Sequence, residues 1–111
     1  MLRDETIRRV LRFRDDRNWR QFHTPKDLAL SLSLEAAELL EVFQWSGTDL
    51  ECRDKQDRIR EELADVLSYC ILLADVCGLD LDEIMNEKVT KNEAKYPVEK
   101  ARGNAAKYTE L

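Results

Sequence analysis

The stretch Leu28-Ala29-Leu30-Ser31-Leu32-Ser33-Leu34-Glu35-Ala36-Ala37-Glu38-Leu39-Leu40-Glu41 decides the fold of this chain. Its first half alternates apolar and small or polar residues with the period of a strand. Its second half consists of strong helix formers. Thr24-Pro25 precedes it, with Thr as N-cap, Pro at the first helical position and Asp27 in the first turn. That start signal and the length predict a helix over 25–43. Apolar residues then occupy most of its circumference, so it needs neighbours on several sides. In a chain of 111 residues some of those neighbours are expected from another subunit.

On either side the helical signals continue. Segment 2–20 reads as a helix in which Ile7, Val10, Leu11, Arg14 and Asn18 give a partial stripe, and 18–23 reads as a connector. Segment 44–54, with Gly47 and polar residues, reads as a loop. Segment 55–77 is the clearest helix, with Ile59, Leu63, Val66, Cys70, Leu73 and Cys77 at steps of four and three. Gly78 is a natural C-terminal cap. Asp80 and Glu83 start a helix to about Lys95, which Pro97 ends. Residues 98–111 read as a basic, ordered or semi-ordered tail. The fold class is all-α, in one domain over residues 1–111. Three Gly and two Pro leave too few tight turns for a β-sandwich or barrel.

Composition excludes several functions. The net charge is −5, with 43% hydrophobic and 37% charged residues, as in a soluble globular protein. Residues 1–26 carry net +4, residues 27–87 net −12 and residues 88–111 net +3. An acidic middle between basic ends is not a DNA-binding stripe, so no nucleic-acid polymer is expected. It suits a central cation with basic groups reaching towards an anion. No apolar run approaches the roughly 18 residues of a membrane span. Met1-Leu2-Arg3-Asp4-Glu5 shows no apolar signal region, so export is not expected. Cys52, Cys70 and Cys77 form no CxxC, and Cys70 and Cys77 stand about 10 Å apart on one helix, too far for a bridge. They read as small buried hydrophobes in a reducing cytoplasm. His23 is the only histidine, so the His-based di-iron and HExxH zinc sites are excluded. It reads as a structural or solvated residue at a helix start.

The chemistry must therefore run mostly on carboxylates. Acid-x-x-acid pairs are cheap here, with about five expected by chance from 23 acids in 111 positions. Helical face is more informative. At 100° per residue, Glu35 falls inside the stripe Leu28-Leu32-Leu39-Val42, and Glu38 lies on its margin. Glu62 sits near the edge of the stripe Ile59-Leu63-Val66-Cys70-Leu73, with Asp65 and Tyr69 beside it. An ionised carboxylate buried alone costs several kcal/mol. Four of them are protonated, paired with Arg or Lys, or bound to cations, and no basic residue lies on either stripe. Four oxygen ligands without His or Cys suit Mg²⁺ or Mn²⁺. The competing reading has both pairs facing solvent.

At this point the order of motifs resembles a known family. Glu35-x-x-Glu38 and, after 23 intervening residues, Glu62-x-x-Asp65 resemble the ExxE…ExxD signature of the all-α, MazG-like nucleoside triphosphate pyrophosphohydrolases. Arg17-Asn18-Trp19-Arg20-Gln21-Phe22-His23, Phe43-Gln44-Trp45, Glu61 to Tyr69, Tyr96-Pro97 and Lys107-Tyr108-Thr109-Glu110-Leu111 look closest to its dCTP pyrophosphatase branch. The resemblance implies a four-helix bundle assembled as a dimer or dimer of dimers. It implies cleavage of a nucleoside triphosphate to monophosphate and pyrophosphate. By position, Glu35, Glu38, Glu62 and Asp65 hold Mg²⁺, with Glu38 first and Glu35 second as proton acceptor. Trp19 and Trp45 line the base pocket, and Tyr69, Lys88, Asn92, Arg102 and Lys107 meet phosphates or sugar. Val10 stands where the vertebrate dCTP enzymes carry His, and Leu34 and Ala37 where they carry Gly. The rival reading is a non-catalytic helical oligomer that binds nucleotides or a protein.

Overall fold

The computed structural model describes residues 2–111. Among the described residues are five α-helices: α1 (Asp4–Asp16), α2 (Pro25–Glu41), α3 (Gln56–Val76), α4 (Leu81–Lys95) and α5 (Val98–Ala101). Single 3-10 turns occupy Arg20–Phe22, Arg53–Lys55 and Tyr108–Glu110. The chain divides into two compact units, one through Gly78 and one over Leu79–Leu111.

In the first unit α3 packs against both α1 and α2. The strand-like alternation in α2 yields to its start signal: Thr24 Oγ1 accepts a hydrogen bond from the Asp27 amide at 3.1 Å, and Pro25 sits at the first position. Lys55 Nζ donates to the Val42 carbonyl at 3.2 Å, so the end of α2 lies beside the start of α3 and the two run antiparallel. A cation there also meets the negative end of the α2 dipole. The connecting loop is pinned. Val42 and Cys52 are fully buried, and Asp49 Oδ1 accepts from the amides of Glu51 and Cys52 at 3.2 and 3.1 Å. Leu28, Ile71, Leu72 and Ala74 supply the rest of the buried apolar core.

The expected first helix, 2–20, ends early. Asn18 adopts φ +55, the left-handed conformation that Asn tolerates better than most residues. Asn18 N–H donates to the Asp15 carbonyl at 3.0 Å and Trp19 N–H to the Arg14 carbonyl at 3.1 Å, a Schellman closure with Asn in place of Gly. Arg14 is 4% exposed. Its guanidinium meets Asp75 of α3 at 2.6 Å and Asp15 at 2.8 Å. This buried ion pair docks α1 on α3, and its Asp15 and Asp75 contacts keep Arg14 firmly charged.

The stripe of α3 also differs from its sequence reading. Leu63 is 46% exposed, and Leu67 and Cys77 are exposed too, whereas Glu62 and Tyr69 are half-buried. Ile59, Val66, Cys70 and Leu73 keep the expected inner stripe, and Glu62 rather than Leu63 is half-buried within it. Beyond Val76, Gly78 at φ +67 closes the helix as expected.

In the second unit Asp80 Oδ1 accepts from the Glu83 amide at 3.1 Å and caps α4. The tail is ordered enough to carry one further helical turn, α5, after Pro97. Tyr108 meets Tyr96 edge-on at 5.9 Å, and Lys95 Nζ lies 4.8 Å from the Tyr108 ring centre.

Arg14→Ala is expected to destabilise the protein by about 2–3 kcal/mol, because it strands Asp75 and removes charged hydrogen bonds. Arg12→Ala, on the exposed face of the same helix, is expected to stay within about 0.5 kcal/mol. Urea unfolding of the two variants measures the contrast, and equal effects would remove the ion pair from its docking role.

Candidate metal centre and adjoining cavity

The antiparallel pairing of α2 and α3 gathers the two acidic pairs. Glu35, Glu38, Glu62 and Asp65 each offer an oxygen, and these oxygens all lie within 4.8 Å of one another. Glu35 and Glu62 are half-buried, Glu38 and Asp65 exposed. One oxygen each of Glu35 and Glu62 is enclosed without a hydrogen-bond partner. Among the described residues no ion pair reaches any of the four.

The electrostatic consequence falls on the inner carboxyls. Burial, then the neighbouring carboxylates of Glu38, Asp65 and Glu62, push Glu35 up to about 7. Glu62 is raised for the same reasons, burial first and then Glu38 and Asp65, with Arg58 pulling weakly the other way. A cluster that resists its own ionisation, with stranded inner oxygens and no protein cation, fits a hard divalent cation. Hard-ion chemistry also matches an all-oxygen donor set.

Beside the quartet lies a cavity of about 480 Å³ between α1, the Arg20–Phe22 turn and α3. Asp65 belongs to both the quartet and the cavity wall. Trp19 and Tyr69, both expected from sequence, line it. Trp19 is 45% exposed and meets Phe13 edge-to-face at 5.7 Å, which fixes its ring plane. Trp45 does not line the cavity. Its backbone takes φ +66 in the turn after α2, and its side chain is 91% exposed. Lys88, Asn92, Arg102 and Lys107 all lie in the second unit, and all are exposed there.

The sequence reading left several wall residues unassigned. Thr6, Arg9 and Phe13 face the cavity from α1, together with Val10. Their spacing of three, four and seven from Thr6 is the signal that would have found them. His23 and Ser68 complete the polar part of the wall. His23, which closes the Arg17–His23 motif, reads from sequence as structural or solvated, and it lines the cavity.

A family model described as the MazG-like family matches residues 30–111. Proteins named dCTP pyrophosphatase 1 from Mus musculus and Homo sapiens are each 41% identical to this chain, over 96% of it and 66% of their own length. The chain thus spans just under two thirds of the length of these curated relatives. A pyrophosphatase of known crystal structure from Archaeoglobus fulgidus is 44% identical, with a TM-score of 0.78 over 85% of this chain and 91% of its own. Since the family match covers most of the chain, including both acidic pairs, the chain belongs to the MazG-like family.

Proposed function

We propose that this chain is an Mg²⁺-dependent nucleoside triphosphate pyrophosphohydrolase that converts a (d)NTP to the (d)NMP and pyrophosphate, with a role in nucleotide-pool sanitation. The carrying observation is one shared residue: Asp65 joins a converging carboxylate quartet to a cavity walled by aromatic rings. A nucleotide needs both, an apolar slot for its base and a cation for its phosphates. The relatives named dCTP pyrophosphatase 1 support the reaction class and make dCTP the first substrate to test.

Glu35, Glu38, Glu62 and Asp65 would hold the ion, with Mn²⁺ as a substitute. An ion held there would supply charge to offset the carboxylates and the phosphate oxygens and to acidify a bound water. The chain's own residues do the rest. Trp19 stacks the base, and Phe13 holds its ring. Hydrolysis breaks the bond between the α and β phosphates, and the water's oxygen joins one side of it. The proton that water releases goes to Glu38, whose exposed carboxylate opens to solvent, with Glu35 as the second acceptor. Tyr69 meets sugar or phosphate as a donor. Lys88, Asn92, Arg102 and Lys107 of the second unit are candidate phosphate donors on the family resemblance alone. The family match runs across Gly78, which supports a single domain.

Assembly belongs to the same proposal. Leu30, Leu34 and Leu40 of α2 and Leu63 and Leu67 of α3 are exposed in the single chain. Such a patch on a family member of 13.0 kDa favours a second copy as its cover, giving a dimer or dimer of dimers. Among the described residues no helix is long and apolar enough to cross a membrane. Three free cysteines suit action in the cytoplasm.

The first test is pyrophosphate release with Mg²⁺ across the eight common NTPs and dNTPs. EDTA-sensitive release is expected, and Glu38→Gln is expected to abolish it while the circular dichroism spectrum stays unchanged. Normal turnover by that variant would sink the mechanism.

Glu35 gives a second test. Its folded-state pKa is raised, so the folded protein binds more protons than the unfolded chain as pH rises towards about 7, and stability falls over that interval. In EDTA, Glu35→Gln should therefore melt above wild type at pH 8, and the gap should close at pH 5. Mg²⁺ should raise the Tm of wild type and leave the variant unmoved. A variant that melts lower at pH 8 would mean that a protein cation already satisfies Glu35. For assembly, sedimentation is expected at a multiple of 13.0 kDa, and a monomer would contradict the leucine patch as an interface.

A further inference from the structure

Among the described residues Arg14 is the sole buried residue of α1. The apolar side chains of that helix are not buried. Ile7, Val10 and Leu11 are half-buried, and Phe13 is 52% exposed. The buried apolar core comes from α2, α3 and the loop between them. What holds α1 to α3 is therefore a directional charged contact, Arg14 Nη1 to Asp75 Oδ2 at 2.6 Å. An ordinary surface helix closes on its neighbour through an apolar stripe instead.

The ion pair ends two facing stripes. Thr6, Val10 and Arg14 follow at steps of four along α1, and Asp65, Ser68, Leu72 and Asp75 at steps of three and four along α3. All of these except Asp75 wall the cavity of about 480 Å³. Asp65 and Asp75 lie ten residues apart on α3, about 15 Å of helix axis. The pair thus stands at the end of the cavity far from the quartet.

Hydrophobic contact has no preferred length and draws helices together until their side chains interdigitate. The distance between the axes then follows from the side chains at the contact. Arginine meeting aspartate head to head is a long contact, and the charged hydrogen bond fixes its length. Stability alone does not call for it, since an apolar pair of similar volume is often as good or better. An apolar pair does not hold the two helices apart.

We propose that the Arg14–Asp75 ion pair is a strut, two positioning residues that hold α1 off α3 so that the cavity between them stays open to ligand. Its role lies in that spacing rather than in stability.

The test replaces the strut in the full chain by an apolar pair, Arg14→Met with Asp75→Leu. Both substitutions keep the Arg14 carbonyl that ends α1. The double variant is expected to melt at or above wild type, with its cavity closed. Acrylamide quenching of Trp19, which lines the cavity at 45% exposure, should then be lost in part. It is read in a Trp45→Phe background, because Trp45 is 91% exposed and would mask it. A closed form outnumbering the open one by about nine to one weakens ligand binding about tenfold. KM for dCTP with Mg²⁺ should rise by about that factor, with kcat within about twofold. Wild-type quenching would overturn the proposal, as would faster quenching, which marks a loosened α1 and a plain docking role. An unchanged KM would overturn it too. The kinetic arm rests on the reading of the cavity as a nucleotide slot, and the quenching arm does not. If wild type turns over no dCTP, that reading fails while quenching still decides the strut. Should the double variant not fold, Asp75→Asn decides, since it keeps the volume and an acceptor oxygen but only a neutral hydrogen bond, about half as strong. Its Trp19 quenching should fall below wild type, and equal quenching would overturn the proposal.

Discussion

Four carboxylates that each bring an oxygen within 4.8 Å of the others repel, and the packing of the first unit has to hold them together against that repulsion. Buried apolar side chains lie before and after the acids along the chain. Leu28 precedes and Val42 follows the pair on α2, and Ile71, Leu72 and Ala74 follow the pair on α3. Lys55 on the Val42 carbonyl closes one end of the helix pair, and Arg14 on Asp75 fastens α1 near the other end of α3. Hydrophobic burial is non-directional and tolerates a charged layer between two apolar ones. The strain of that layer shows where burial is deepest, at Glu35 and Glu62, whose protons are held more tightly than in water.

Arg14 links this acidic layer to the cavity. Its carbonyl receives the Trp19 amide and thereby ends α1, and its guanidinium binds Asp75. Burial, and after it the charge of Arg14, lowers the proton affinity of His23. One residue therefore bears on where the aromatic platform begins and where α1 sits on α3. A lysine offers no planar fork to reach Asp15 and Asp75 together.

Much of this was legible in the sequence because it is local. Thr24-Pro25, Asp80 and Gly78 act through their own turns, so their caps appear where the pattern placed them. Glu35 fell on the inner stripe because the neighbouring leucines fix the phase of α2. What failed depended on partners. On α3, Leu63 and Leu67 are as apolar as Val66, yet they point outward. Periodicity cannot separate an apolar face meant for the chain's own core from one left for another surface. The end of α1 was missed because left-handed Asn18 looks, by composition, like an ordinary polar helix residue. Trp45 carried the same aromatic signal as Trp19, but its placement depends on a left-handed turn that composition does not announce.

The same reasoning explains why the acidic pairs are informative and the basic residues less so. Solvated lysines on an exposed helix cost nothing, so Lys88 sits comfortably in α4 whatever its task. Half-buried Glu35 and Glu62, each with an enclosed unpartnered oxygen, are unfavourable for a protein at rest. A hydrophobic residue at either position would pack without that penalty. Their joint presence on facing helices therefore points to a cation, and a cation beside an aromatic cavity points to a ligand that is anionic at one end and planar at the other. A nucleotide has that construction. On the proposed reading Asp65, which belongs to both the quartet and the cavity wall, would stand where the two ends of such a ligand meet.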